Sequence, residues 1–422
     1  MKTTVLLLAF ACLSLLIMPE CKAADEAAAA KAINQFGLDL LRARNSHKDN
    51  LLLSPYSIQT TLAMAYAGSA GETKSEMEKV LHLGNDEEHI HYSFAALKQS
   101  LVGIEARTSA QVKEAQKWEG AGEPFALAVA NKLFGQKSFA FREPFLELLE
   151  NKYGAALEEM DFIKSAPAAI SEINQWVAQQ THRRILNLLP LNSLNSSTRL
   201  VLVNAIYMKA PWEEPFIESA TKPGPFQVNE EKVLEVPMMT RQGYFRYKHQ
   251  DGLSLIAVPY IGHELQFLVI LPDHAVGLKG LEARLTPQIL EAGSRASSAE
   301  LVLQMPKFRL EPPLLALGQT LQTLGMKSAF NNPGGSANFD RAAARNSSDY
   351  LSISEVFHKT FIAVDEKGTE AAAATALGME RGALASEKPQ PIEVRIDRPF
   401  LFAVQHIPSG ACLFLGRVVD PR

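Results

Sequence analysis

The residues best equipped for chemistry in this chain do not assemble into a catalytic pattern. A hydrolase needs a nucleophile, a general base and an acid that orients the base. No G-x-S-x-G elbow occurs. His89 and His91 sit in an acidic run expected to be exposed, and they carry no zinc-type spacing. His82 is expected to cap a helix end. Neither a G-x-x-x-x-G-K-[ST] loop nor a G-x-G-x-x-G fingerprint is present, and Gly334-Gly335 reads as loop punctuation. Lys113 and Lys117 lie four apart, as a polyanion site would place them, but Glu114 and Glu119 are interleaved, the pattern of a solvated face. The chain therefore reads as no enzyme, with no cofactor and no metal.

One stretch does stand out: Glu366-Lys367-Gly368-Thr369-Glu370-Ala371-Ala372-Ala373-Ala374-Thr375. Its upstream flank, Thr360 to Val364, is apolar and β-rich. Downstream is a variable loop ending in Pro389-Gln390-Pro391. Alanines favour helix. Yet a run bounded by strands, with nothing in it that resists burial, is also able to enter a sheet. Such disagreement between local preference and a possible global destination marks functional sites. The plain alternative is an alanine-rich surface loop.

The elements that must position this stretch come from a chain of 422 residues, 47% hydrophobic, with a formal net charge of −4. That is enough to bury a sizeable core. The balance gives no basic excess for nucleic acid and argues against a membrane-surface role. Lys2 followed by the apolar run Val5 to Met18, too short to span a bilayer comfortably, reads as a secretory signal. Pro19 breaks the run and Ala23 gives a small residue for cleavage, so residues 1–23 are expected to be removed. Cys21 leaves a lipoprotein signal as an alternative, though Met18-Pro19-Glu20 is a poor lead-in. Of the three cysteines, Cys12 and Cys21 leave with the signal and Cys412 stays, in the apolar run Ala411 to Leu415. The expectation is an exported protein without internal disulfides, stabilised by packing. In a Gram-negative bacterium the destination would be the periplasm.

Residues 31–44 carry Ile33, Phe36, Leu40 and Leu41 at helical spacing. Leu51 to Leu53 reads as a short strand, and Ser54-Pro55 as a helix start. Helices are expected to follow to Leu83, then over 145–153, 170–180, 286–292 and 314–324. Residues 125–134 and 200–209 read as long apolar strands. Strands are also expected at 225–229, 233–239, 243–247, 253–259, 264–271, 301–309, 350–365, 391–396, 400–406 and 411–418. Helices dominate the first half and strands the second, an α+β pattern rather than alternating βαβ. No repeat or linker splits residues 24–422, which read as one domain.

Several separated motifs now match one family. They are Asn50 to Pro55, Asn204 to Phe216 (NAIYMKAPWEEPF), Val236-Pro237-Met238-Met239, Leu271-Pro272-Asp273, Met305-Pro306-Lys307-Phe308, Ser354 to Lys359 (SEVFHK), Glu366 to Thr375, Arg398 to Phe402 and Gly416-Arg417-Val418. Together, in order, they make the chain resemble a serpin, the family of loop-inserting serine protease inhibitors. The resemblance implies a serpin fold: three β-sheets, eight to nine helices and an exposed reactive-centre loop at about 366–391. It also implies a mechanism. A serine protease cleaves the loop and forms a covalent acyl-enzyme; the loop's N-terminal part then enters the central sheet as a new strand and carries the protease away. The protein would act as a monomer, with a protease as its only partner.

The hinge residues suit that physics. About 14 inserted residues carry the protease roughly 45–50 Å. Alternate side chains must face the core. Thr369, Ala371, Ala373 and Thr375 form one face, small and uncharged; Glu370, Ala372, Ala374 and Ala376 form the other. Gly368 supplies a hinge. No bulky, charged-inward or proline residue interrupts Gly368 to Met379, which favours an active inhibitor. An arginine at position 369 is expected to leave fold and cleavage intact but turn inhibitor into substrate. By the resemblance, Ser54, Ser57, Asn204 and His358 form a polar cluster beneath the strands that part, so the Ser–His pair is no catalytic dyad. Trp212, Lys307 and Glu366 mark where the loop first enters, with a Glu366–Lys307 ion pair at its base.

Counting forward from Gly368 by the commonest family spacing puts the scissile bond at Gly382-Ala383. A hinge one residue shorter gives Arg381-Gly382, and Arg381 would fit the acidic pocket of a trypsin-like protease. Leu384-Ala385 or Met379 would fit chymotrypsin- or elastase-like pockets. Counting back from Pro399 lands on Lys388-Pro389, a poor protease site, so the loop is about six residues longer than usual. Arg381-Gly382 is the preferred reading. Two departures stand out: Thr181-His182-Arg183-Arg184 replaces the usual glycine after the Trp176-Val177 helix, and residues 104–123 resemble an insertion. A non-inhibitory carrier or chaperone, and an inhibitor of cysteine proteases, are the rival functions.

Overall fold

The computed structural model describes residues 18–44, 46–115, 125–345, 349–369 and 390–422. The helical first part comprises α1 (Met18–Ala43), strand β1 (Leu51–Leu53), α2 (Pro55–Gly68), α3 (Gly71–Val80) and α4 (Glu87–Ala115). α1 begins well before the expected residue 31, with Pro19 in its first turn, where a missing N–H costs nothing. The expected cleavage point after Ala23 lies inside it. α2 starts where Ser54 caps it, its Oγ accepting from the Ser57 N–H, with Pro55 at the first position. All of α2 is buried, as a helix apolar on every side must be.

Strand β2 (Ala126–Gln136), α5 (Glu143–Leu148), β3 (Glu158–Met160), α6 (Phe162–Gln180) and β4 (Leu200–Pro211) come next. The expected helix over 145–153 is α5 extended by a π-helical turn, Leu149–Tyr153. α6 ends without glycine: His182 and Arg183 both take positive φ (50° and 62°), the left-handed region glycine enters at lower cost. Then follow β5 (Lys222–Gln227), β6 (Val233–Gln250), β7 (Leu253–Pro259), β8 (Leu265–Pro272), α7 (Leu278–Arg284), α8 (Pro287–Ser294), β9 (Ser298–Pro306), β10 (Phe308–Leu310), β11 (Leu315–Ala316) and α9 (Gly318–Leu324). The helix expected from Leu314 starts only at Gly318, because Leu315 and Ala316 pair with a strand. The chain closes with β12 (Ile353–Val364), β13 (Gly368–Thr369), β14 (Ile392–Arg395), β15 (Phe400–His406) and β16 (Cys412–Val418). Among the described residues there are nine α-helices, none long and apolar enough to cross a membrane.

Among the described residues the strands hydrogen-bond into two networks. One runs β10-β12-β13-β4-β2-β3, with β11 on β12. The other runs β1-β16-β15-β8-β7-β6-β9-β14, with β5 on β6. Two of the three expected sheets fall in this second network, joined because β6 serves both: Val233 to Met238 pair with β5, and Arg246 to Gln250 with β7. The strands expected at 233–239 and 243–247 are thus one. Cys412 is buried, and burial pushes its thiol well up, so it packs as a small hydrophobe.

β2 and β4 run antiparallel from Ala126↔Lys209 to Gly135↔Leu200. β4 and β12 run parallel, pairing from Ile353↔Leu200 to Phe361↔Tyr207. Past a register shift between Ile353 and Glu355, even-numbered residues of both strands face the main core; odd-numbered ones face outward, where Val201, Val203, Ala205 and Phe357 pack with α6 residues such as Ile173 and Val177.

Candidate loop-insertion site

Beyond Phe361 and Tyr207 the two central strands no longer pair with each other. The gap holds β13. Thr369 lies opposite Val364 of β12 and Ala210 of β4, antiparallel to both, and Gly368 lies opposite Pro211. A tight turn brings the chain back from β12: the Asp365 N–H donates to the Gly368 carbonyl at 2.9 Å. The Asp365 side chain holds the turn by accepting from the N–H groups of Lys367 (2.9 Å) and Gly368 (3.2 Å), an Asx arrangement. Burial raises the Asp365 carboxyl despite these two donors. Gly368 is required by space as well as by freedom. A Cβ there would lie 2.2 Å from the Ala210 carbonyl oxygen and 2.6 Å from Pro211 Cα, so β13 fits only with glycine at this position.

Thr369 is fully buried, and its hydroxyl lies 2.6 Å from the Tyr260 hydroxyl. Tyr260 stacks on Trp212 with ring centroids 4.6 Å apart. Burial pushes the Tyr260 phenol well up, keeping it neutral for this bond. Trp212 in turn fixes the turn from the other side: its Nε1 donates to the Asp365 carbonyl and its backbone N–H to the Lys367 carbonyl, both at 2.9 Å. The Phe216 N–H donates to the Glu366 carbonyl at 2.7 Å. Thr369 therefore has no room for a charged side chain while β13 stays in place.

Glu366 and Lys307 form the expected ion pair, Oε2 to Nζ at 2.7 Å, while Glu366 Oε1 accepts from the Thr221 hydroxyl at 2.6 Å. The Glu366 side chain is 8% exposed and that of Lys307 37%. Burial alone would raise this carboxyl, but the bonds from Lys307 and Thr221 outweigh it and hold it below the usual carboxylate range. With one partner buried and one partly solvated, the pair contributes about 1–2 kcal/mol.

Lower down, where β4 and β12 are still joined, Ser54, Ser57, Asn204 and His358 come together, all fully buried. His358 Nε2 accepts from the Ser54 N–H at 3.1 Å, so the ring proton sits on Nδ1, which donates to Asn204 Oδ1 across the seam. Burial drives the His358 imidazole down to about 3 and keeps it neutral. The Ser54 hydroxyl donates to the Leu413 carbonyl at 2.6 Å and accepts from the Ser57 N–H. Ser57 Oγ donates to Asn131 Oδ1 at 2.6 Å. With both serine protons committed elsewhere, the Ser–His arrangement lacks the geometry of a nucleophile and base.

Sequence reasoning missed Asn131, Thr221 and Tyr260. No motif flags them, since each enters through strand register. Asp365 was findable: an Asp three residues before a Gly is an Asx-turn signal. Of two histidine expectations, one changes and one holds. His91 is buried, not exposed, with Nδ1 at 2.6 Å from the Tyr153 hydroxyl. His82 closes the end of α3 as expected: it takes positive φ (52°) just past the helix, its N–H donates to the Lys79 carbonyl at 3.3 Å and the Leu83 N–H to the Glu78 carbonyl at 2.9 Å, while its Nε2 lies 2.6 Å from Asp39 Oδ2 on α1. Glu370 to Thr375, and the scissile-bond candidates Arg381, Gly382, Ala383 and Leu384, lie outside the described residues.

Comparison with known proteins agrees with this architecture. The family profile described as Serpin (serine protease inhibitor) matches residues 31–421. The leukocyte elastase inhibitor of Bos taurus is 35% identical over 401 residues, 92% of this chain and 98% of that protein. An uncharacterized serpin-like protein of Thermococcus kodakarensis is 36% identical, over 95% of this chain and 88% of its own length. The crystal structure of uncleaved ovalbumin superimposes with a TM-score of 0.76 at 26% identity, covering 93% of this chain and all of that one. The chain belongs to the serpin family.

Proposed function

We propose that this serpin is a secreted inhibitor of a trypsin-like serine protease, acting by irreversible trapping. In this reading the protease cleaves Arg381-Gly382 and forms the acyl-enzyme, and residues from Thr369 onward extend β13 downward between β4 and β12. Glu366, Gly368 and Thr369 are the hinge, Trp212 and Lys307 the entry point, and Ser54, Ser57, Asn204 and His358 the gate. The observation that carries the reading is β13 itself: two residues antiparallel to both central strands, with Thr369 facing the core and no side chain on Gly368 to obstruct them. Protease inhibition is also the activity in the names of the curated relatives called leukocyte elastase inhibitor. Lys2 and the apolar run after it support secretion.

A second reading of the target has its own support. Relatives named leukocyte elastase inhibitor favour an elastase-like protease, for which Leu384-Ala385 or Met379 would be the cleavage point. Incubation with trypsin and with an elastase, followed by N-terminal sequencing of the released fragment, separates the two. A fragment beginning at Gly382 and an SDS-stable complex with trypsin support the first. Cleavage without any stable complex, across a panel that includes cysteine proteases, sinks the inhibitory reading.

A further inference from the structure

α4 runs on to Ala115, so about three of its turns lie in the stretch 104–123, which resembles an insertion. Those turns pack behind the site. The Arg107 guanidinium grips Glu264 as a fork, Nε donating to Oε1 at 2.7 Å and Nη2 to Oε2. Glu264 ends the turn that joins β7 to β8. Gly262 and His263 in that turn both take positive φ (85° and 55°). A Cβ on Gly262 would lie 3.0 Å from Thr108 Cγ2 and 3.2 Å from Gln111 Oε1, so the turn is pressed against α4. Its other side is held from the end of β4. The Glu213 carboxylate accepts from the Gly262 N–H at 3.2 Å and lies 3.3 Å from His263 Nε2. The Ile261 N–H donates to the Pro211 carbonyl at 3.0 Å. Tyr260 opens this same turn: its N–H donates to the Leu265 carbonyl and its carbonyl accepts from the His263 N–H, both at 3.0 Å.

Resting on the loop-insertion reading above, we propose that Arg107 is a positioning residue for β13. By holding Glu264 it fixes the turn that aims the Tyr260 hydroxyl at Thr369, so the last turns of α4 brace the seat from which the loop enters. The path is a chain of contacts: Arg107 to Glu264, across the turn to Tyr260, and from the Tyr260 hydroxyl to that of Thr369 at 2.6 Å. Trp212, which also holds the 365–368 turn, stacks on the same Tyr260 ring. Placing and stabilising separate here. The Arg107 side chain is 52% exposed and that of Glu264 24%, so water screens the pair and it adds little to global stability. What a fork adds is direction, because two parallel bonds set both the distance and the orientation of the carboxylate. At the far end of the path Tyr260 and Thr369 are fully buried, and a hydrogen bond weakens steeply as its atoms move out of line. A small loosening at the surface therefore reaches a bond that tolerates little. An α4 that only covered the turn would need no charge at this position.

The test compares wild type with Arg107→Gln, Arg107→Lys, Glu264→Gln and the swap Arg107→Glu/Glu264→Arg, each also in a Tyr260→Phe background. Amide hydrogen exchange of the uncleaved protein, read on peptides spanning 365–369, reports the seat without any protease. Arg107→Gln and Glu264→Gln are expected to speed exchange there by about threefold, with the thermal midpoint nearly unchanged. Arg107→Lys, which keeps the charge but loses the fork, should fall between, and the swap should return exchange to near the wild-type rate. With Tyr260→Phe the bond to Thr369 is already gone, so breaking the pair should add less than half of that change. In the trapping assay the moles of serpin consumed per mole of trypsin-like protease inactivated should rise by about twofold in the same two glutamine variants. Unchanged exchange at 365–369 in those variants overturns the proposal, as does a full change that persists without the Tyr260 hydroxyl. Faster exchange throughout the chain with a lowered midpoint makes the pair a plain stability contact and also overturns it. A wild type that neither traps protease nor gains thermal stability on loop cleavage overturns the inhibitory reading, and the exchange result still decides the placing of β13 by itself.

Discussion

The two ends of the seam between β4 and β12 are built differently. At the lower end the strands touch, and they are locked by a small polar set: one imidazole, one carboxamide and two hydroxyls, all buried and nearly all paired. Asn204 Nδ2 finds no hydrogen-bond partner among the described residues. At the upper end the strands are apart, and the space is filled by a turn held by Trp212, Tyr260, Lys307 and Thr221. Parting the lower end breaks specific hydrogen bonds, each worth about 0.5–1.5 kcal/mol. Extending the upper end breaks none of the bonds that hold β13. Under the proposed mechanism the difference implies direction: a strand would enter from the top, and the polar set below would be the resistance it meets.

Unseating the upper end should have the largest effect. Thr369→Arg places a charge where nothing is exposed, at a cost of several kcal/mol if it stayed. The expected outcome is a β13 released from the slot in the uncleaved protein, seen as altered Trp212 fluorescence, and complete loss of protease trapping with cleavage retained. Normal trapping by this variant would break the contrast between the two ends. At the lower end, His358→Ala leaves Asn204 and the Ser54 N–H unpaired and should lower stability by about 1–3 kcal/mol, read from urea unfolding.

The lower end should also respond to acid. His358 titrates at about 3 when folded and near 6.5 when unfolded. Its contribution to stability is full above pH 6.5. It is lost as pH falls from there toward 3, because the unfolded chain takes up a proton that the folded one refuses. Between pH 7 and pH 5 wild type should lose about 2 kcal/mol more than His358→Gln. Glu366 behaves differently: its carboxyl is depressed when folded, so its contribution holds above pH 4.5 and falls away only below that. Glu366→Gln should cost about 1–2 kcal/mol at pH 7 and less in acid. The smallest effect expected is from Tyr260→Phe, about 1 kcal/mol, because Thr369 keeps its backbone pairing.

Much of this contrast was legible in the sequence. The inward orientation of Thr369 follows from the period-2 alternation of a strand, while the Glu366–Lys307 pair and the gathering of Ser54, Asn204 and His358 were implied by the resemblance. What was not legible depends on register and depth. Gly368 reads as a hinge from sequence, yet the close approach of Ala210 and Pro211 is a second constraint that only pairing reveals. Tyr260 lies far from Thr369 in sequence, and nothing local marks it. His91 looks solvated because its neighbours are acidic, but the helix turns it inward to Tyr153. The three expected sheets merged into two networks because β6 is longer than its sequence punctuation suggests.

The most direct test of the central claim is the stability of the protein after its loop is cut. A non-target protease would cleave within 379–388, and thermal unfolding would be compared before and after. Insertion of residues 370 onward between β4 and β12 completes the central sheet, so the unfolding midpoint should rise sharply. An unchanged or lower midpoint would contradict the account, because the cleaved loop would then have stayed outside the sheet.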